Sequence, residues 1–366
     1  MHSRRAVLAG ISRLAATMML PTVEVAAREL SADAPGNSAP RSPGVVADQL
    51  AAVYGLKLGQ VAYIPALPLV AKLRLSELTG DDRHATQVTT ILAPYLQQPP
   101  PLPRSGSEQA GHLIFAAMAE RATGAERERW IELCRLAADQ IFDDAGRARP
   151  VMPFHNEMSD AVFMSGPILT ATGRLTGELR YFDAAATHFA TMREFCLRED
   201  GLYRHSPLCE AAWGRGNGFP ALGLALALTD WPADHPDRTE LLTQFQSHMS
   251  ALKRHQNQRS GCWHQVIDHP ESYEEYSCTC MIGFAMRRGI ARGWLNAEQF
   301  QSSVDAAWTA VATRTGEDGR LTNVCAGTGK QTTLEAYLTR PAINGRDDRG
   351  GAMGLMFATE LIAASK

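Results

Sequence analysis

Asp160, in the stretch FHNEMSDAVFM (residues 154–164), is the first residue here with the makings of a catalytic acid. It stands just before the apolar run AVFMSGPIL, at or near the start of a helix. Burial among Phe154, Met158, Phe163 and Met164 would favour the protonated form that a general acid needs, and a helix dipole would oppose it. His155 and Glu157 are close enough in sequence to tune or position the carboxyl. A plain N-cap is the other reading of an aspartate at such a place.

The stretch WGRGNGF (residues 213–219) offers a different chemistry. It is not a dinucleotide loop: the sixth position of a GxGxxG pattern is Phe219, no strand precedes it, and no P-loop lysine follows. Trp213 and Arg215 make better sense together, an indole face for the C–H surface of a sugar ring and a guanidinium fork for a carboxylate. The glycines would let backbone approach both. A helix start with a buried tryptophan is the alternative.

Two further loops carry reactive side chains. SGCWHQVIDHPESYEEYS (260–277) puts Trp263 beside His264 and adds Asp268 and His269. Its histidines and carboxylates lack metal-ligand spacing, so neither metal nor cofactor is expected. In EAYLTRPAINGRDD (335–348), Tyr337 and Arg340 could reach a site mouth at the same end.

The elements that must hold these loops are helical. Apolar residues recur at three- and four-residue spacing in LIFAAMAERA, WIELCRLAADQIF, FDAAATHFATMREF and FPALGLALAL, and strand-like alternation is scarce. A helix–turn–helix phrase recurs near residues 76, 118, 173, 226 and 287. That period is one helical hairpin plus its loop. Five hairpins, with incomplete ones at the termini, predict a closed all-α (α/α) ring rather than an open solenoid. The long connections carry the aromatics, histidines and arginines and the short turns carry almost none, so the site is expected at one end.

Composition bounds the rest. A net charge of −3 over a mixed surface argues against a nucleic-acid partner, and no later apolar run is long enough to span a bilayer. Seven cysteines without paired spacing make neither a disulfide framework nor a zinc site, and read as small buried residues. Residues 1–27, with Arg4 and Arg5 before an apolar segment, have the layout of a twin-arginine export signal, which implies a periplasmic or secreted protein. Residues 28–45 read as a linker, leaving residues 46–366 as one barrel, monomeric or homodimeric.

Taken in order, MSDAVFM, WGRGNGF, GCWHQVIDHPESY, EYSCTCMIGFAMRRGI and YLTRP resemble the unsaturated rhamnogalacturonyl and glucuronyl hydrolases, glycoside hydrolase families 105 and 88. The resemblance covers about residues 46–364. It implies an (α/α)6 barrel acting on oligosaccharides left by polysaccharide lyases, with a 4,5-unsaturated uronic acid at the non-reducing end. Such enzymes hydrate the enol-ether double bond, and the hemiketal collapses to release the neighbouring sugar. By the D-x-x-F/Y-M motif, Asp160 would be the acid and base. The resemblance further implies substrate contacts at Trp213, Arg215, His205, Trp263, His264 and His155. Where family members often carry a second aspartate, this chain has SGSEQAGHLIF (105–115), with Glu108 the nearest acid.

Three other readings stay open on the residues alone. An inverting glycosidase would need a second carboxylate, from Glu157, Glu210 or Glu274, about 6.5–9.5 Å from Asp160. An epimerase would pair histidines such as His205 and His264 as acid and base. A non-catalytic barrel would bind sugar through Trp213 and Trp263. Pectin, algal glucuronan and arabinogalactan fragments are all open as sources of substrate.

Overall fold

Helices follow one another in pairs through residues 40–363, which the computed structural model describes. The expected export signal and most of the linker lie outside the described residues. The chain runs α1 (Pro43–Val53), α2 (Tyr63–Thr79), α3 (Arg83–Gln97), α4 (Gly106–Gly111) and α5 (Leu113–Arg121). It continues through α6 (Gly124–Ala138), α7 (Ala161–Met164), α8 (Gly166–Thr176), α9 (Arg180–Cys196) and α10 (Gly214–Asp230). Then come α11 (Arg238–Arg254), α12 (Tyr276–Ala291), α13 (Ala297–Thr313), α14 (Leu334–Leu338) and α15 (Asp348–Ala363).

Helices α2, α5, α8, α10, α12 and α15 pack each against the next, and α15 packs back on α2, closing an inner ring. Each carries an outer partner: α3, α6, α9, α11, α13 and, for α15, α1. The incomplete hairpins expected at the termini are therefore one hairpin shared by both ends of the chain. Inner helices are buried around most of their circumference, as α10 is without a break from Gly214 to Ala225. Outer helices bury a stripe, as α3 does with His84, Ala85, Val88 and Leu92.

Local chemistry sets the ends. Ser42 caps α1 by accepting from Val45 N–H, and Pro43 takes the first turn, where its missing N–H costs nothing. The helix thus begins inside the stretch read as linker (28–45), at residue 43. Helices α2 and α8 stop at Gly80 and Gly177, both left-handed (φ 75° and 74°). Asn296 caps α13.

The short turns within hairpins gather at one end of the ring and the long connections at the other. The long end carries α4, α7 and α14 and two small antiparallel pairs. These are β1 (Trp263–His264) with β2 (Glu274–Glu275) and β3 (Leu321–Cys325) with β4 (Ala342–Gly345). At the short-turn end an axial hollow is walled by Leu67, Ala71, Phe284 and Met356. Paired charges rim it, among them Arg174 with Asp230, and Arg288 with Glu360. Among the described residues all seven cysteines are free, and no helix is long and apolar enough to cross a membrane.

Candidate active site

Asp160 opens α7, a single turn wedged against α10. The preceding residue fixes its place: Ser159 Oγ donates to Gly216 O (2.6 Å) and Ser159 N–H to His205 O (2.9 Å). The Asp160 side chain caps nothing among the described residues. Instead Oδ1 lies 3.1 Å from His205 Nε2. The contact is short but bent, and neither atom has a well-aligned hydrogen-bond partner among the described residues, although both are sealed from solvent. About a tenth of the Asp160 side chain stays open, on the side away from Oδ1.

His205 is fully buried between aromatic rings, 4.5 Å from the Trp213 ring and 5.7 Å from Tyr337. Its loop is clamped by Asn217, whose side chain accepts from Tyr203 N–H (2.8 Å) and donates to Tyr203 O (2.8 Å) and Trp213 O (3.0 Å). His205 Nδ1 meets the Tyr337 hydroxyl at 2.9 Å. His155 lies near enough to Asp160 and His205 for the charges of both to bear on it. Its backbone is left-handed (φ 55°), an uncommon state for histidine, and its buried Nδ1 has no partner among the described residues. Burial pushes the His155 imidazole below its ordinary value, with the Asp160 charge opposing and His205 adding to the fall. Gly106 makes room for it: a Cβ there would fall 2.1 Å from His155 Nδ1.

Trp213 faces this cluster with a buried indole N–H that has no acceptor among the described residues. Arg215 stacks on the Trp213 ring at 4.7 Å, but its fork is directed at protein. Its nitrogens donate to Cys325 O (2.8 Å), Ala326 O (2.8 Å) and, at 3.3 Å, Ser277 Oγ. The glycines of WGRGNGF also differ from expectation, since they let α10 pack. A Cβ on Gly214 would lie 2.8 Å from His264 O, and one on Gly218 2.7 Å from Met281 Sδ. Trp263 points into the core, wholly buried, with its indole N–H donating to Leu252 O (2.7 Å), so it has no free face for a ligand. His264 is buried on the hairpin, and its Nδ1–H donates to Ser272 O (2.7 Å).

Glu108 is a helix-start residue. Its N–H donates to Ser105 Oγ (3.2 Å), and its carboxylate accepts from Arg104 N–H (2.8 Å) and Gln60 (3.0 Å). The other carboxylates weighed as partners for Asp160 are each held by a cation: Glu157 by Lys330, Glu210 by Arg204 and Glu274 by Arg314. Sequence reasoning missed Ser159, Asn217 and Tyr63. The Tyr63 ring packs edge-on against Phe163 and Phe219, and burial pushes its phenol up to about 12, with Arg215 opposing and Asp160 reinforcing. A polar residue among glycines could have flagged Asn217; Tyr63 gave no signal.

Among the described residues one group, Asp183, His235 and Asp237, has the composition of a metal site. It lies at the short-turn end. His235 Nδ1 accepts from Asp237 N–H (3.3 Å), which leaves its other nitrogen protonated and facing Asp183 at 3.3 Å. That is a hydrogen-bonded histidine, not a ligand set.

Six hairpins closed into a ring, with a buried carboxyl–imidazole pair under aromatic loops at one end, define a helical-barrel enzyme of the glycosyl hydrolase class. The chain belongs to Glycosyl Hydrolase Family 88, which matches residues 66–364. It is 30% identical over 224 residues to the unsaturated rhamnogalacturonyl hydrolase YesR of Bacillus subtilis, a match covering 57% of this chain and 60% of that one. It is 28% identical over 180 residues to an unsaturated 3S-rhamnoglycuronyl hydrolase of Formosa agariphila, covering 44% of this chain and 48% of the relative. The matches thus span less than two thirds of each of these relatives. A solved structure from Klebsiella pneumoniae, described as a possible member of the GH105 family, superposes with a TM-score of 0.77. That comparison covers 96% of this chain and all of the other at 18% identity, and shows the shared fold.

Proposed function

We propose that this protein removes a 4,5-unsaturated uronic acid from the non-reducing end of oligosaccharides, with Asp160 as acid and then base. The observation that carries the reading is the Asp160 carboxyl, which is buried at the loop end, caps no helix among the described residues, and touches His205. Family membership and the names of the two relatives support the substrate class.

The chemistry follows from the polarity of an enol ether. Asp160 gives its proton to C4, the electron-rich carbon, and positive charge collects at C5 beside the ring oxygen. Water adds to C5 and returns a proton to the carboxylate, so the acid is restored. The C5 hemiketal opens, and the hemiacetal left at C1 expels the neighbouring sugar as an alcohol. No second carboxylate is needed, which accords with Glu157, Glu210 and Glu274 being held in ion pairs.

In this reading His155 and His205 flank the acid and Trp213 lines the ring face. His264 supports the wall through its hairpin. Arg215 positions Trp213 and the segment after β3, instead of gripping the uronate. The test supplies lyase-generated digests of pectin, glucuronan and arabinogalactan and follows the enol-ether absorbance. Wild type should bleach at least one digest and Asp160→Asn none; an Asn variant with undiminished rate sinks the assignment. We also propose that residues 1–27 direct export and that the mature protein is a monomer or homodimer. N-terminal sequencing and light scattering of the recovered protein check both.

A further inference from the structure

We propose that Tyr337 is a positioning residue that holds His205 with its proton on Nε2, facing Asp160, and thereby leaves the transferable proton of Asp160 on Oδ2. The inference rests on the function proposed above and concerns how its acid is kept ready.

The direction of the hydrogen bonds follows from one group whose role is fixed. Gln331 N–H, a backbone amide, can only donate, and it points to the Tyr337 hydroxyl oxygen at 3.1 Å. The Tyr337 hydroxyl proton then goes to the one acceptor beside it among the described residues, His205 Nδ1, at 2.9 Å. An imidazole nitrogen that accepts carries no proton, so the neutral ring has its single proton on Nε2. Nε2 lies 3.1 Å from Asp160 Oδ1.

A protonated carboxyl has one oxygen that accepts and one that carries the proton. With the His205 N–H nearest to Oδ1, at 3.1 Å in a bent contact, the proton belongs on Oδ2. Oδ1 is sealed from solvent, and the open part of the side chain lies away from it. The opposite tautomer would turn a bare Nε2 toward Asp160 and draw the acid proton onto Oδ1. There it would sit between two buried atoms, out of reach of a substrate.

Tyr337 suits this task. It is fully buried, comes from α14, and its ring packs edge-on against His205. Burial pushes its phenol up to about 12, so the hydroxyl keeps its proton at neutral pH. The bond that sets the direction comes from Gln331, in the segment after β3 whose neighbour Lys330 pairs with Glu157 beside the site.

The test reads the tautomer directly. In protein labelled with 15N-histidine, the two ring nitrogens of a neutral imidazole give well-separated shifts, and His205→Gln identifies the His205 signals. Free wild-type enzyme should show a bare Nδ1 and a protonated Nε2; a protonated Nδ1 in the neutral ring overturns the proposal. Tyr337→Phe should move that proton toward Nδ1 and lower kcat by roughly 100-fold, the low end of what a positioned acid–base group contributes, with KM within about twofold. A Phe variant that keeps both the wild-type tautomer and the wild-type kcat also overturns it. The wild-type spectrum needs neither substrate nor a folded variant. An enzyme inert toward every unsaturated uronide would therefore refute the function and leave the tautomer to be judged separately.

Discussion

Gly223 lies where α10 faces the one-turn helix that carries Asp160, and replacing it with alanine should move the proposed catalytic acid. An ideal Cβ at this position would sit 2.6 Å from Val162 O and 2.8 Å from both Phe163 N and Phe163 Cα. All three are backbone atoms and cannot rotate aside. Retreat to even a tight contact of 3.0–3.4 Å takes about 0.4–0.8 Å, which α7 must supply by lifting from α10. Overpacking of this kind costs about 1–3 kcal/mol. Alanine's better helix propensity returns about 1 kcal/mol, so net stability should fall by about 0–2 kcal/mol. Asp160 begins only 3.1 Å from His205. A misplacement near 1 Å costs about 100-fold in rate, so kcat/KM should drop roughly 10- to 100-fold, about 1.4–2.7 kcal/mol of barrier. The assay pairs enol-ether bleaching with thermal unfolding. Gly59→Ala serves as control, because a Cβ there meets nothing within 4 Å. Wild-type kinetics and melting in Gly223→Ala would refute the close approach. A large loss of stability with normal kcat would show that Asp160 does not ride on α7.

Two further substitutions probe residues assigned to the framework. Trp263→Phe should lower stability by about 2–4 kcal/mol in urea, through an unmet Leu252 carbonyl and a cavity, while kcat and KM of the folded protein stay close to wild type. A raised KM without lost stability would instead put this indole against substrate. Arg288→Met removes the partner that donates to Glu360 at 2.8 Å and should cost about 3–5 kcal/mol at neutral pH, because a buried charge loses its pair. Burial pushes the Glu360 carboxyl up, but bonding to Arg288 and the charges of Arg288 and Arg74 outweigh it and hold the folded value below the ordinary range. The pair's contribution is therefore complete above the unfolded value of about 4.3 and is lost as pH falls through the lower folded value. Melting curves of wild type and variant should lie far apart at pH 7 and converge in acid; a gap independent of pH would contradict this.

The ring was legible because its signals are local. Apolar spacing within a helix, a left-handed Gly80 or Gly177 at its end and a polar opening to its partner all fall within a few residues of one another. Asp160 stood out in the sequence for a similar reason, since it directly precedes the apolar run that opens α7, whose Phe163 and Met164 are buried. The residues misread are those whose orientation is decided elsewhere. A tryptophan and an arginine in a loop have the same composition whether they face a sugar or the protein. Arg215 turns inward because carbonyls 110 and 111 residues away lie within reach of its fork. Gly214 and Gly218 are required by His264 and Met281, which arrive on other segments. Tyr337 stands 132 residues from the histidine it touches, with nothing in its own sequence neighbourhood to pair them. A closed ring explains this pattern physically: it gathers loops from every hairpin at one end, so each side chain there meets partners that are distant in sequence. Composition can propose which loops hold the chemistry, but which atom carries the proton depends on an amide at residue 331, a phenol at 337 and an imidazole at 205 meeting in one place.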